Sequence, residues 1–280
     1  MNRKIITTEI YQEIHKEHLT GLSVKTLGLK HGIRYGTLYY AFQRLGLVIH
    51  KGDSEEKRRN PVNDNWFETI DCEEKAYYLG LLMADGYVNH RITGAKSPRI
   101  CIKLEKTDRY LVEQLQSYLQ PGGNTYPEKN SIGIQVVSTK LVEDLFKLGL
   151  FPNKTTVGKT FTPLNTDDLQ WHFIRGYFDG DGSISTGNQN RSTIYICCST
   201  VEFLKEVEKY LDKFQIKTSL YTENRDHLGY KPMYTLHIKS RVLFYQYLYK
   251  DASIFMQRKR LKYNHVNTVL TEKSTRQRRA

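Results

Sequence analysis

The chain has 280 residues, 39% hydrophobic and 26% charged, an ordinary balance for a globular protein with a sizeable core. No apolar run approaches the ~20 residues that a membrane helix needs, and Met1 to Thr8 lack a signal peptide's apolar stretch, so the expected protein has no membrane partner, is not secreted and works inside the cell. The formal net charge of +12 gathers at the ends: residues 1–62 hold 11 basic and 6 acidic side chains, residues 257–280 hold 8 and 1, and the stretch between holds 23 of each, which points to a polyanion as partner.

Residues 1–50 read as three short helices. Thr8 is expected to cap a helix to about Leu19, with Glu9 in its first turn and Gly21 ending it. Ser23 caps a second helix from Val24 to His31, stopped by Gly32, and a third runs from about Gly36 to Leu45, stopped by Gly46. Ile10, Ile14, Leu22, Val24, Leu27, Ile33, Leu38, Phe42 and Leu45 recur at helical spacing and would fill a small core. The short turn between the second and third helices is a helix-turn-helix pattern, which lays its third helix in the DNA major groove. Arg34, Tyr35, Thr37, Tyr39, Tyr40, Gln43 and Arg44 would then offer phosphate and base-edge contacts. Arg34 departs from the pattern, since Ser or Thr often caps that helix. A helical trimer that binds protein is the alternative.

Residues 51–65 are polar, aperiodic and contain Pro61, and read as a linker that lets the front domain bind DNA beside the main site. Beyond it the chain duplicates itself, with one repeat over 66–160, a second over 161–270, and a basic tail over 271–280. Each repeat reads helix, two strands, helix, two strands, helix. In the first, a helix ends near Asp85, strands follow at 87–93 and 98–106, a helix at 108–119, strands at 123–128 and 131–138, and a helix at 139–148. In the second, a helix ends near Asp181, strands follow at 183–188 and 192–199, a helix at 200–214, strands at 216–224 and 232–239, and a helix at 240–249. Alternation supports the strands: Ile100, Ile102 and Leu104 face one way, and Arg99, Cys101, Lys103 and Glu105 the other. Tyr234, Leu236 and Ile238 likewise oppose Thr235, His237 and Lys239. Arg91, Arg99, Lys103, Arg191, Lys231 and Lys239 lie on or beside strands, so a neutral region could still show DNA a positive face. The cysteines, Cys72, Cys101, Cys197 and Cys198, have neither Cys-x-x-Cys spacing nor a nearby His cluster, and read as free thiols rather than zinc ligands.

The two repeats open with matching motifs, Gly80-Leu81-Leu82-Met83-Ala84-Asp85-Gly86 and Gly176-Tyr177-Phe178-Asp179-Gly180-Asp181-Gly182, whose acids stand 96 residues apart. Gly80 and Ala84 share a helix face, as do Gly176 and Gly180. A glycine inside a helix costs roughly 1 kcal/mol relative to alanine, so two of them before an acid imply close backbone contact. If the two faces meet, Asp85 and Asp181 lie side by side, where they repel unless a cation joins them. Mg²⁺ (or Mn²⁺) suits carboxylate, water and phosphate oxygens, and such a pair can serve two scissile phosphates. The bland alternative makes each Asp-Gly a helix-ending turn, but a doubled motif followed by matching strands argues against it.

The pair resembles the LAGLIDADG homing endonucleases in their single-chain, two-repeat form, over about residues 66–270. The resemblance implies an α+β fold of two pseudo-symmetric αββαββα repeats, forming a saddle of antiparallel sheets preceded by the small helical domain. It implies a metal-dependent double-strand DNA endonuclease, monomeric, with a long target site. Leu150-Phe151-Pro152-Asn153-Lys154-Thr155 and Phe255-Met256-Gln257-Arg258-Lys259-Arg260 look like the family segments that close each repeat with an active-site lysine. By that resemblance Lys154 and Lys259 are catalytic with Asp85 and Asp181, and Ala84 and Gly180 join the two aspartates at the metal. Base readers would come from Arg99, Lys103, Gln135, Tyr195, Arg225, His237 and Lys239. Met83 stands where the second motif has Asp179, which would leave the first metal-binding end one acid poorer and make the two strand cuts unequal. An intron-RNA maturase and a catalytically dead transcription regulator are the rival functions. Met1 and the lack of a nucleophile-flanked junction favour a freestanding or intron-borne protein.

Overall fold

A computed structural model describes residues 7–20, 22–49, 60–89, 97–186, 192–225, 227, 229, 231–266 and 268. Gly21, Arg91, Arg191, most of the linker and the 271–280 tail fall outside them. The chain divides into two compact units, Met1–Pro61 and Val62–Ala280.

The first unit holds α1 (Thr8–Leu19), α2 (Val24–Lys30) and α3 (Tyr35–Arg44). Ser23 caps α2, its Oγ accepting the Thr26 N–H at 3.1 Å. Thr8 does not cap α1: it is already helical, and the extended residue before the helix is Thr7, with no side-chain capping bond. Arg34 precedes α3, also without one. The core comprises Tyr11, Ile14, Val24, Leu27, Ile33, Leu38, Ala41 and Phe42, with Leu45 packed beside it. Ile10 and Leu22, expected inside, are exposed. α1 instead turns Tyr11, Ile14, His15 and His18 inward, one face at helical spacing. The two imidazoles are tolerated because each meets a carbonyl: His15 Nε2 donates to Val48 O at 2.6 Å and His18 Nδ1 to Leu22 O at 2.7 Å. His15 also stands edge-on to Phe42, with centroids 5.1 Å apart. Where α2 meets its turn into α3, a Cβ on Gly28 would lie 2.7 Å from the Ile33 carbonyl oxygen, so only glycine fits.

The second unit repeats one element order twice. The first copy is α4 (Glu73–Ala84), β1 (Tyr87–Asn89), β2 (Arg99–Glu105), α5 (Arg109–Leu119), β3 (Tyr126–Pro127), β4 (Ser131–Val137) and α6 (Thr139–Lys147). A single helical turn, α7 (Lys154–Val157), leads to the second copy: α8 (Asp167–Asp181), β5 (Gly182–Thr186), β6 (Ser192–Cys198), α9 (Val201–Asp212), β7 (Thr218–Glu223), β8 (Met233–Ile238) and α10 (Arg241–Tyr249). Residues 257–266 continue as helix. Two antiparallel four-stranded sheets result, ordered β1-β2-β4-β3 and β5-β6-β8-β7. The fold is thus α+β with two antiparallel sheets, preceded by N-terminal helices, as the sequence predicts.

Alternation sets the layers. In the first sheet Ile100, Ile102 and Leu104 pair with Val136, Ile134 and Ile132 on the buried face. Cys101, expected on the open face, is also buried. Its register partner on the edge strand is Tyr87, whose hydroxyl bonds the thiol, so the larger side chain covers the smaller. A continuous apolar core runs from the first sheet through α4 and α8 into the second. Among the described residues no helix is long and apolar enough to cross a membrane.

Candidate active site

The site is built where α4 meets α8. Every residue of α4 from Ala76 to Ala84 is buried, which requires a neighbour on all sides. The glycines supply the closest approach. A Cβ on Gly80 would land on the Phe173 carbonyl oxygen and 2.8 Å from Tyr177 N. A Cβ on Gly176 would land on the Tyr77 carbonyl oxygen and 2.9 Å from Leu81 N. The two clashes are equivalent under the duplication, so each helix backbone rests in the notch the other's glycine leaves. Gly176→Ala should therefore cost about 3 kcal/mol, the upper end for overpacking, because the obstacle is backbone and cannot rotate away. A lowered urea midpoint at unchanged slope would show it; a midpoint equal to that of the unsubstituted chain would mean the helices slide apart freely.

The same contact brings the acids together. A Cβ on Gly180 would meet Ala84 Cβ, 3.0 Å from Asp85 Oδ2, so the Asp85 carboxylate lies against the end of α8. Asp85 is solvent-exposed on its outer side. Protein crowding its inner side, and then the charge of Asp181, raise its pKa, while Lys259, Lys154 and Lys159 pull the other way. Among the described residues its carboxylate has no hydrogen-bond or ion-pair partner.

Lys154 and Lys259 occupy equivalent positions. Lys154 Nζ donates to the carbonyls of Leu82, Met83 and Ala84 at 3.0, 2.9 and 2.5 Å. Lys259 Nζ donates to those of Phe178, Gly180 and Gly182 at 2.9, 3.1 and 2.6 Å. Each ammonium thus satisfies carbonyls orphaned at a helix C-terminus and opposes its negative dipole end. Burial, with Lys159 alongside, lowers Lys154 to about 7. Burial lowers Lys259 too, against the pull of Asp179. The Ala84 and Gly180 carbonyls expected at the metal therefore already face cations.

Asp179 corrects a sequence expectation. It is fully buried and adds no acid to the open end. One oxygen accepts the Tyr77 hydroxyl at 2.7 Å and the Met256 N–H at 2.6 Å, tying α4 and α8 to the segment that carries Lys259. Burial pushes its pKa up to about 6. Met83, at the matching place, leaves the first metal-binding end no poorer in acid.

Lys159 was not expected. It is buried, and its Nζ donates to Asp181 Oδ2 at 2.6 Å and to the Tyr177 hydroxyl at 2.9 Å. Gly158, at φ +106°, reverses the chain after α7 so that this side chain turns inward. A glycine-lysine step in an otherwise neutral segment, five residues past Lys154, is the only signal the sequence carries.

The other named positions form separate groups. In the second sheet Tyr195 stacks on His237, centroids 5.2 Å apart, and Tyr221 meets His237 edge-on at 4.7 Å. Lys239 Nζ sits 5.5 Å from the Tyr221 ring centre. Burial, and then the charge of Lys239, lower His237, so the cluster sets stacked aromatic rings beside the Lys239 ammonium. Arg225 is paired with Glu223 at 2.9 Å. In the first sheet Lys103 pairs with Glu128 at 2.7 Å, Arg99 Nε donates to Ser97 O at 3.3 Å, and Gln135 registers with Cys101. On α3, Tyr35 and Tyr40 are among the most exposed aromatics, Gln43 bonds Tyr39, and Thr37 and Arg44 are exposed.

Two helices meet through glycines, each ending in an acid and feeding a four-stranded antiparallel sheet. Residues 168–250 match the family model described as LAGLIDADG-like domain. An uncharacterised protein of Methanocaldococcus jannaschii is 26% identical over 182 residues, 56% of this chain and 61% of that protein. RNA polymerase subunit Rpo1C of the same organism is 23% identical over 147 residues, 50% of this chain and 16% of that protein. The chain spans less than two thirds of each curated relative's length. The solved structure of the meganuclease I-SmaMI bound to uncleaveable DNA is similar in outline, with a TM-score of 0.47 and 12% identity, covering 71% of this chain and 91% of that one.

Proposed function

We propose that the protein is a site-specific double-strand DNA endonuclease that hydrolyses phosphodiester bonds with divalent metal at Asp85 and Asp181. The observation that carries this is the convergence of the two carboxylates at the ends of paired helices, each with a lysine at the same helix end. The donor set that fits a hard divalent cation is the pair of carboxylates, while the carbonyls of Ala84 and Gly180, also expected at the metal, are held by Lys154 and Lys259. Mg²⁺ usually keeps several waters and binds through one or two carboxylates plus phosphate, which is what two aspartates beside a DNA backbone would offer. When bound, the metal would stabilise charge on the attacking and leaving oxygens.

The chain's own residues supply the rest. Lys154 and Lys259 hold the helix ends rigid and offset negative charge growing on phosphoryl oxygens. With its three protons on the carbonyls of Leu82, Met83 and Ala84, Lys154 acts through its charge, polarising the attacking water or screening the phosphate. The open sheet faces, with Tyr195, His237 and Lys239 on one and Arg99 and Lys103 on the other, suit groove and phosphate contacts. With the active site doubled in one chain, a monomer suffices.

Selecting duplexes from a randomised library with the full chain, then incubating them with Mg²⁺ or with EDTA, tests the reading. Double-strand scission only with metal is the expected result. Tight binding without scission, in Mg²⁺ or Mn²⁺, would reduce the protein to a DNA-binding regulator, and preference for structured RNA would indicate a splicing role.

The front domain is proposed to bind DNA through α3 as a helix-turn-helix. Removing residues 1–50 should then shorten the protected footprint and weaken affinity roughly tenfold, about 1.4 kcal/mol, without abolishing cleavage. Nuclease footprinting of both forms on one selected duplex decides it; an unchanged footprint assigns the helices another task.

A further inference from the structure

The two carboxylates of the site are not equivalent. Asp181 is clamped by Lys159 at 2.6 Å, while Asp85 has no hydrogen-bond or ion-pair partner among the described residues. The difference is built into the backbone. After Lys154, α7 stops at Val157 and Gly158 turns Lys159 inward, where its N–H donates to Thr200 Oγ1 at 3.0 Å. After Lys259 the chain continues as helix over 257–266. The residue five places on, Asn264, is exposed and accepts a bond from the Tyr245 hydroxyl. Among the described residues, no side chain of the second repeat is bonded to Asp85 as Lys159 is to Asp181.

Resting on the nuclease reading, we propose that Lys159 is a positioning residue that holds Asp181 as an ion pair in the metal-free protein, so that a divalent cation engages Asp85 first and Asp181 only as the Lys159 ammonium withdraws. An ammonium and a cation cannot share one carboxylate oxygen without repulsion. A hydrogen bond between charged, partly buried groups is strong enough to separate the two affinities by about tenfold to a hundredfold. The inequality between the halves then comes from Lys159 and not from Met83, whose counterpart Asp179 is sealed in the core.

The test is a titration of the full chain with Mn²⁺, following free ion by its electron paramagnetic resonance signal, with no DNA present. The unsubstituted protein should show two classes of site at least tenfold apart. Asp85→Asn should remove the tighter and Asp181→Asn the weaker. Lys159→Met should strengthen the weaker site until the two agree within about threefold, and Lys159→Arg, which keeps the charge, should preserve the gap. Circular dichroism checks that each variant is folded, and Lys159→Gln replaces Lys159→Met if the latter is not. An isotherm unchanged or weakened by Lys159→Met, in a protein that binds two ions through these aspartates, overturns the role of Lys159 and leaves the nuclease reading intact. Mn²⁺ binding indifferent to both Asp→Asn changes sinks the metal site and this inference together.

Discussion

Asp85→Asn and Asp181→Asn should each slow scission of at least one strand by about 10³-fold while leaving duplex affinity within about twofold. A factor of 10³ is roughly 4 kcal/mol of barrier, the several kcal/mol expected when a metal that stabilises phosphoryl charge loses an anionic ligand. Asparagine keeps the shape and one carbonyl oxygen but not the charge, so Gly180 still fits against the Asp85 position and the helix pair survives. On the proposed reading affinity is spread over sheet faces and basic ends, and one fewer negative charge beside a phosphate should not weaken it. The separation of binding from cutting is the diagnostic. Supercoiled plasmid carrying a selected site reports nicked and linear products in one lane, and a mobility shift on the same site reports affinity. Full-rate cutting of both strands by Asp85→Asn would leave the motif as a helix-ending turn and nothing more.

The glycines and aspartates of this contact were legible in the sequence because duplication repeats a local pattern, and a small residue every fourth place before an acid has few uses. Both sheets were legible too, since alternation such as Ile100, Ile102, Leu104 against Arg99 and Lys103 reports which face is dry. What stayed hidden depends on tertiary neighbours. Asp179 reads as another acid of the motif until the Tyr77 hydroxyl and Met256 N–H are seen to enclose it. Lys159 is one of many lysines until Gly158 turns it onto Asp181. In α1 the core face was misplaced because histidines count as polar, yet His15 and His18 each find a carbonyl and outcompete Ile10 for the interior. Cys101 follows the alternation and is hidden by Tyr87 across the ladder, which periodicity within one strand does not reveal.

Glu73→Gln should destabilise the second unit by about 3–5 kcal/mol at neutral pH, the usual cost of leaving one member of a buried ion pair alone. Arg175 is fully buried and each of its guanidinium nitrogens donates: Nε to Ile254 O at 2.8 Å, Nη1 to Leu248 O at 3.1 Å, and Nη2 to Glu73. Glu73 in turn accepts the Ser253 N–H at 2.8 Å, the Ile254 N–H at 3.0 Å and the Ser253 hydroxyl at 2.7 Å. Burial alone would raise Glu73, but those donors and the Arg175 charge outweigh it and hold it below the usual carboxylate range. A depressed carboxylate stabilises the fold above its unfolded pKa and loses that contribution as pH falls through the folded value. The gap between Glu73→Gln and the unsubstituted chain should therefore be widest at pH 7 and shrink below about pH 4, read as converging urea midpoints. On the nuclease reading the cluster also positions the proposed site. It fixes residues 248–254, and within five residues the same segment sends Met256 to Asp179 and Lys259 to the end of α8. A loosened clamp should lower scission more than Mn²⁺ binding at Asp85, since it displaces a lysine and not a carboxylate. Equal urea midpoints for the two proteins at pH 7 would mean Arg175 finds compensation elsewhere, and the link from the outer end of α8 to the end that carries Asp181 would be lost.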